Sequence, residues 1–218
     1  MYGSVQKRAA ASVKLPPVRG PAIIRPCELL VAREVLCGRN RMPNPRAERA
    51  AFDEVAIILA DDPARVLQRL LDCVLRLYVA GSAGVSVMQP VSSGHSDFVW
   101  EVVSGALTAH QGDGTPGDFG PCGLCLDIGT AIVLARPERA FGYLARVRPP
   151  IIEALIAPLY DAAGTPLGAL WVFHHDPARR FGDNDVSLIE RLAVPTALAL
   201  QRRARPVAAA DCARGDDL

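Results

Sequence analysis

Hydrophobic positions along this chain keep a helical period at both ends of the body and a period of two between them. Between 47 and 60 they recur at helical spacing, with Phe52, Val55 and Leu59 on one face. Asp62 and Pro63 then punctuate the chain. A carboxylate can cap free backbone N–H groups, and proline suits a first helical position, where no donor is needed. Val66, Leu67, Leu70, Leu71, Val74, Leu75 and Tyr78 predict a second helix to about 79, with Cys73 in its packing stripe. Gly81 and Gly84 break it.

The period then drops to two. Strands are predicted at 85–89 and 98–107, with Ser92, Ser93 and Gly94 as the turn between them. Alternation puts Phe98, Trp100 and Val102 on one face and Val99, Glu101 and Val103 on the other. A glycine-rich loop follows at 112–123, then a short strand at 130–135. An irregular crossover spans 137–150, with a helical turn around Tyr143. Segments 153–160 and 167–174 form a hairpin turned at 162–166. Asp183 caps a last helix to about 203, whose buried stripe is Val186, Ile189, Ala193, Ala197 and Leu200. Pro195 inside it is expected to bend it. Consecutive strands joined by short turns, with helices gathered at the ends, predict an α+β fold: an antiparallel sheet with helices on one face.

Composition changes this picture at the ends. Half of the 218 residues are hydrophobic, which is enough for a sizeable core. No run of about 18 uncharged apolar residues would span a membrane, and no apolar leader opens the chain. Six cysteines are too sparse for a disulfide scaffold, so reduced thiols and a cytoplasmic protein are expected. The net charge of +1 hides an asymmetry: residues 1–46 hold nine basic groups against two acids, Glu28 and Glu34. That proline-punctuated segment reads as a flexible arm, dispensable for folding. A chain beginning at Met42 is expected to keep its thermal midpoint. Weak nucleic-acid contact would come only from this arm. Residues 47–203 form the body and 204–218 a polar tail.

The body resembles a GAF domain, a small-molecule sensor module of many bacterial signalling proteins. The resemblance rests on Ile156, Ala157, Pro158, Leu159 and Tyr160, then Gly164, then 166–172, which look like that family's central hairpin. Residues 180–185 with Leu188, Leu192 and Ala193 look like its closing helix. Residues 118–127 are similar to a version found ahead of bacterial sensor kinases. It implies a five- or six-stranded antiparallel sheet, terminal helices on one face, and a ligand pocket on the other. It further implies a homodimer through the first and last helices, with Ile57, Ile58, Leu188 and Leu198 available, and a separate sensor kinase or other signalling protein as the output partner.

Candidate chemistry gathers in 112–150. Phe119, Cys122, Cys125, Asp127, Tyr143, Trp100 and Arg146 are the expected ligand-binding residues, with no catalytic residue, metal or cofactor required. The glycines let backbone approach a ligand. Arg136, Arg139, Arg146 and Arg148 offer guanidinium groups to an acidic one. Cys122 and Cys125 form a C-x-x-C, but a closed zinc site needs four ligands and only His110 stands near. The alternative is a cysteine-dependent redox enzyme or sensor similar to the free methionine sulfoxide reductases of the GAF family, using Cys122 and Cys125. A G-x-G-x-x-G match at 112–117 lacks the strand–helix context of a phosphate loop. His174 and His175 point to opposite faces of a strand and read as a solvated strand end.

Overall fold

The computed structural model describes residues 25–39, 44–60, 63–90, 96–117 and 119–204. The elements run in this order: α1 (Arg33–Gly38), α2 (Pro45–Leu59), α3 (Pro63–Tyr78), β1 (Ser82–Pro90), β2 (Ser96–Gly105), β3 (Gly114–Pro116), α4 (Pro121–Ile128), β4 (Ile132–Ala135), β5 (Glu153–Tyr160), β6 (Pro166–His174) and α5 (Asp183–Ala204). The expected cap at Asp62, the turn at Ser92, Ser93 and Gly94, and residues 1–24 and 205–218 lie outside the described residues.

Among the described residues one sheet of six strands carries the other elements. Its order is β3-β2-β1-β6-β5-β4, and every pairing is antiparallel. The predicted 153–160/167–174 hairpin is β5–β6, in a register that sets Leu155 opposite Val172 and Ala157 opposite Leu170. α2, α3 and α5 cover one face. The helix-side core joins Val55, Leu67, Leu70 and Leu192 to Ala83, Val85, Leu155 and Val172. The opposite face is buried as well, under α4 and the 137–150 crossover, so the sheet separates two apolar cores.

Three sequence expectations shift for local reasons. In α2 the buried stripe is Ala51, Val55 and Ile58, and Phe52 and Leu59 are only half-buried. Phe52 turns to the α5 border instead, where the Arg191 guanidinium lies 5.2 Å over its ring. In β2 the pairing slips between Val85 and Ser86, which face Val102 and Trp100. Glu101 is the extra residue of this bulge, and it inverts the alternation beyond it. Val102 therefore enters the helix-side core, while Val103 joins Phe98 and Trp100 on the outer face. Residues 25–39, placed in the flexible arm by their prolines and charge, pack on the body: Leu29 and Leu36 are buried. α5 continues through Pro195 as one helix, and the Thr196 hydroxyl donates to the Leu192 carbonyl at 2.7 Å.

Candidate functional site

The glycine-rich loop contains a helix. Gly120 stands at the N-cap, Pro121 at the first helical position, and Gly129 closes α4 in the left-handed region at φ 79°, its N–H donating to the Cys125 carbonyl. That proline-in, glycine-out arrangement is the usual helix punctuation and was present in the sequence. Cys122 and Cys125 are thus one turn apart on one helical face, three residues being close to a full turn. Both face the sheet and are buried. The Cys125 thiol reaches the carbonyls of Ile156 at 3.5 Å and Thr130 at 3.4 Å. α4 is therefore tied to β5 by a side chain.

Beneath α4 lies an aromatic floor. Trp171 stacks on Phe173 at 4.3 Å, and Trp100 tilts against Trp171 at 4.8 Å. Gly84 makes room for that stack: a Cβ there would lie 2.1 Å from the Trp171 ring. The Trp171 indole N–H donates to the Ser86 hydroxyl at 3.0 Å, which settles both buried polar groups. Phe119, half-buried, meets Phe141 edge-on at 5.6 Å. Tyr143 is 3% exposed, and its hydroxyl finds no hydrogen-bond partner. Thr115, also buried, stands near enough to oppose slightly the rise in the Tyr143 pKa.

The electrostatics are those of a neutral interior. Burial pushes the Cys122 thiol up to about 11, against a slight opposing effect of Ser86. Burial, then the neighbouring Cys122, holds Cys125 well above its ordinary value. Burial, then Cys122, raises the Tyr143 hydroxyl likewise. All three are protonated at neutral pH, and among the described residues no arginine or lysine is buried.

Of the predicted site residues, the structure brings together Trp100, Cys122, Cys125 and Tyr143, with Phe119 at the margin. Asp127 and Arg146 are exposed and stand outside the cluster. So do Arg136, Arg139 and Arg148, and Arg148 donates to the Ala145 and Val147 carbonyls beside it. Sequence reasoning passed over Ser86 and Thr115, because small hydroxyls in a strand carry no sign of what lies across the sheet. Trp171 and Phe141 were legible only as core. Among the described residues no group of three or more His, Cys, Asp or Glu side chains could hold a metal ion. His174 also departs from its reading as a solvated strand end. It is buried and stacks on Phe181 at 4.1 Å, while His175 bonds Ser82 at 2.8 Å and the Pro150 carbonyl at 2.9 Å.

Comparison with known proteins agrees with this architecture. A family model described as GAF domain matches residues 60–201, and the chain belongs to that family, a class of sensory and regulatory domains. The GAF domain from an Acinetobacter phosphoenolpyruvate-protein phosphotransferase has a TM-score of 0.61 at 15% identity, covering 77% of this chain and 100% of that one. Free methionine-R-sulfoxide reductase from Neisseria meningitidis, solved with its substrate, gives 0.56 at 16%, covering 76% and 96%. The GAF-B domain of DevS from Mycobacterium smegmatis gives 0.51 at 22%, covering 66% and 96%. At these identities the likeness is one of fold. No curated protein sequence matches. Among the described residues no helix is long and apolar enough to cross a membrane.

Proposed function

We propose that this chain is a cytoplasmic ligand-sensing domain whose site is the outer face of the sheet, under α4 and the crossover. The observation that carries this is the Tyr143 hydroxyl, buried without a partner among the apolar residues of that face. An orphaned buried hydroxyl costs about 1–3 kcal/mol, and a ligand acceptor removes that cost. The ligand is small and uncharged, with one acceptor for the Tyr143 O–H and an apolar body against Trp100 and Trp171. An acidic ligand would meet no buried guanidinium there, so the exposed arginines of the crossover do not serve it.

The response runs through β5. α4 rests on one face of β5 and α5 on the other, and Cys125 bonds the β5 carbonyl of Ile156. A ligand seated under α4 shifts that helix against β5, and α5 feels the change from behind. The signal then passes to a separate sensor kinase or other signalling protein across a homodimer built on α5 and α2. The exposed apolar residues Val194, Leu198 and Ile57 support this. Val194 and Leu198 also line a groove of about 490 Å³ between α5 and the end of β5.

A second reading takes Cys122 and Cys125 as a redox pair, favoured by two thiols one helical turn apart and facing the same way. Their raised pKa values weaken it, because the thiolate is the nucleophile. Native mass spectrometry of the purified chain tests the first reading. A non-covalent small molecule retained by the native protein and lost in Tyr143→Phe is expected. Thiol-dependent turnover of free methionine sulfoxide, abolished by Cys122→Ser, would replace it with the second.

A further inference from the structure

Residues 25–39 cross from one core to the other. A 3-10 turn at Pro26–Leu29 delivers Leu29 into the outer-face cluster. Leu30 then forms an antiparallel bridge to Leu134, and the Val31 N–H donates to the Val133 carbonyl at 2.9 Å. The segment thereby pairs with the outer edge of β4. α1 turns Leu36 into the helix-side core. At the far end Arg39 Nη1 donates to Glu153 Oε1 at 2.8 Å and to the Phe181 carbonyl at 3.4 Å. Glu153 is 1% exposed, its other oxygen accepts the Phe181 N–H at 2.7 Å, and Arg180 stands 3.9 Å away. Arg33 lies 3.7 Å from Asp183, the first residue of α5. At Gly182 a Cβ would come within 2.7 Å of the Arg39 carbonyl oxygen, so the two backbones touch where only glycine leaves room.

We propose that residues 25–39 are a latch that clamps the edge strand β4 to the head of α5 and controls access to the outer-face site, with the Arg39–Glu153 pair as its catch. Without the guanidinium, a buried carboxylate keeps one amide and a distant arginine, and the uncompensated charge drives the end of the segment open. The rest of its grip is a short strand pairing at Leu30 and Val31, two buried leucines, the Arg33–Asp183 pair and the backbone contact at Gly182. Such an edge-paired segment opens locally at far lower cost than the sheet itself. Leu29 shares its cluster with Cys122, Cys125 and Tyr143, so an open latch bares that cluster from the β4 side. It also frees the first turn of α5. Control over access rests on the outer-face site proposed above; the clamp does not.

Hydrogen exchange of the full chain, native and Arg39→Ala, reads the clamp. Exchange about ten-fold faster at 25–39, 131–135 and 181–186 together, with the remaining sheet unchanged, is the expected result. Acceleration confined to 36–39 overturns the clamp. So does a uniform acceleration through β1, β2 and α3, which makes the segment a structural pillar. Leu36→Ala, which loosens the latch through its apolar grip, must open the same three stretches. Pulse labelling with N-ethylmaleimide, mapped peptide by peptide, reads access. Cys122 and Cys125 label several-fold faster in Arg39→Ala, while Cys73 in the other core does not change. Three opened stretches without faster labelling leave the clamp standing and overturn its control of the site.

Discussion

Single residues in this fold hold more than their side-chain chemistry suggests. Burial, then Arg179 and the neighbouring histidine and Arg180, lowers the His174 pKa to about 4, against a weaker opposing effect of Asp176. Between pH 6.5 and 4 the unfolded chain therefore binds a proton that the folded chain refuses. Stability from this residue is complete above about pH 6.5 and falls as pH drops toward 4, by an amount on the order of 2 kcal/mol. Urea midpoints measured across that range should decline, and His174→Leu should flatten the decline. Unchanged slopes would mean that the ring takes up its proton in the fold as readily as in the unfolded chain. Gly84 acts through space alone. Gly84→Ala drives a methyl into the Trp171 ring and should cost roughly 3 kcal/mol, with a change in tryptophan emission as the indole leaves its stack.

Elements show where amphipathic patterns mislead and where they inform. The helical spacing of α3 was legible throughout, because its buried residues Val66, Leu67, Leu70, Leu71, Val74 and Tyr78 recur at that spacing. α5 is different, since it borders the sheet, α2 and solvent at once. Leu188 and Leu198 both lie off its predicted stripe and both read as dimer contacts. Leu188 and Ile58 are buried in the core, whereas Leu198, Val194 and Ile57 are exposed. Leu198→Glu should leave the thermal midpoint nearly unchanged and convert a dimer to a 23.3 kDa monomer by light scattering at tens of micromolar. Leu188→Glu should unfold the chain by several kcal/mol, since it buries an unpaired charge. A native chain already monomeric at that concentration would remove the dimer from the proposed signal path.

Across the whole molecule, the two cores are joined at β4 and at the head of α5 by a segment that composition assigns to the arm. A chain beginning at Met42 loses the burial of Leu29 and Leu36, at roughly 2 kcal/mol each, and leaves Glu153 without Arg39. The expectation that this shortened chain keeps its midpoint therefore changes to a fall of about 10–20 °C. A chain beginning at Arg25 keeps that segment and should hold its midpoint within a few degrees. Differential scanning calorimetry of the two shortened chains decides between these outcomes.

The identities of α2, α3, β1, β2, β4, β5, β6 and α5, the pairing of the β5–β6 hairpin and the α+β class were readable from the chain, because periodicity and turn residues act over a few neighbours. The meeting of Cys122, Cys125 and Tyr143 on one face was half readable: the residues were named, but the helix that orients the thiols was hidden in a glycine-rich stretch. Tertiary structure alone decided the rest. The bulge at Glu101 exchanges the cores that Val102 and Val103 enter, and no local rule reports a slip in pairing between strands. Arg39 meets Glu153 across 114 residues of chain, so neither the buried carboxylate nor the docked segment leaves a mark in the local pattern. Asp127 and Arg146 carried the right chemistry in the right stretch of sequence. Their exposure was settled by which side of each turn faces the sheet, a choice made by packing and not by spacing.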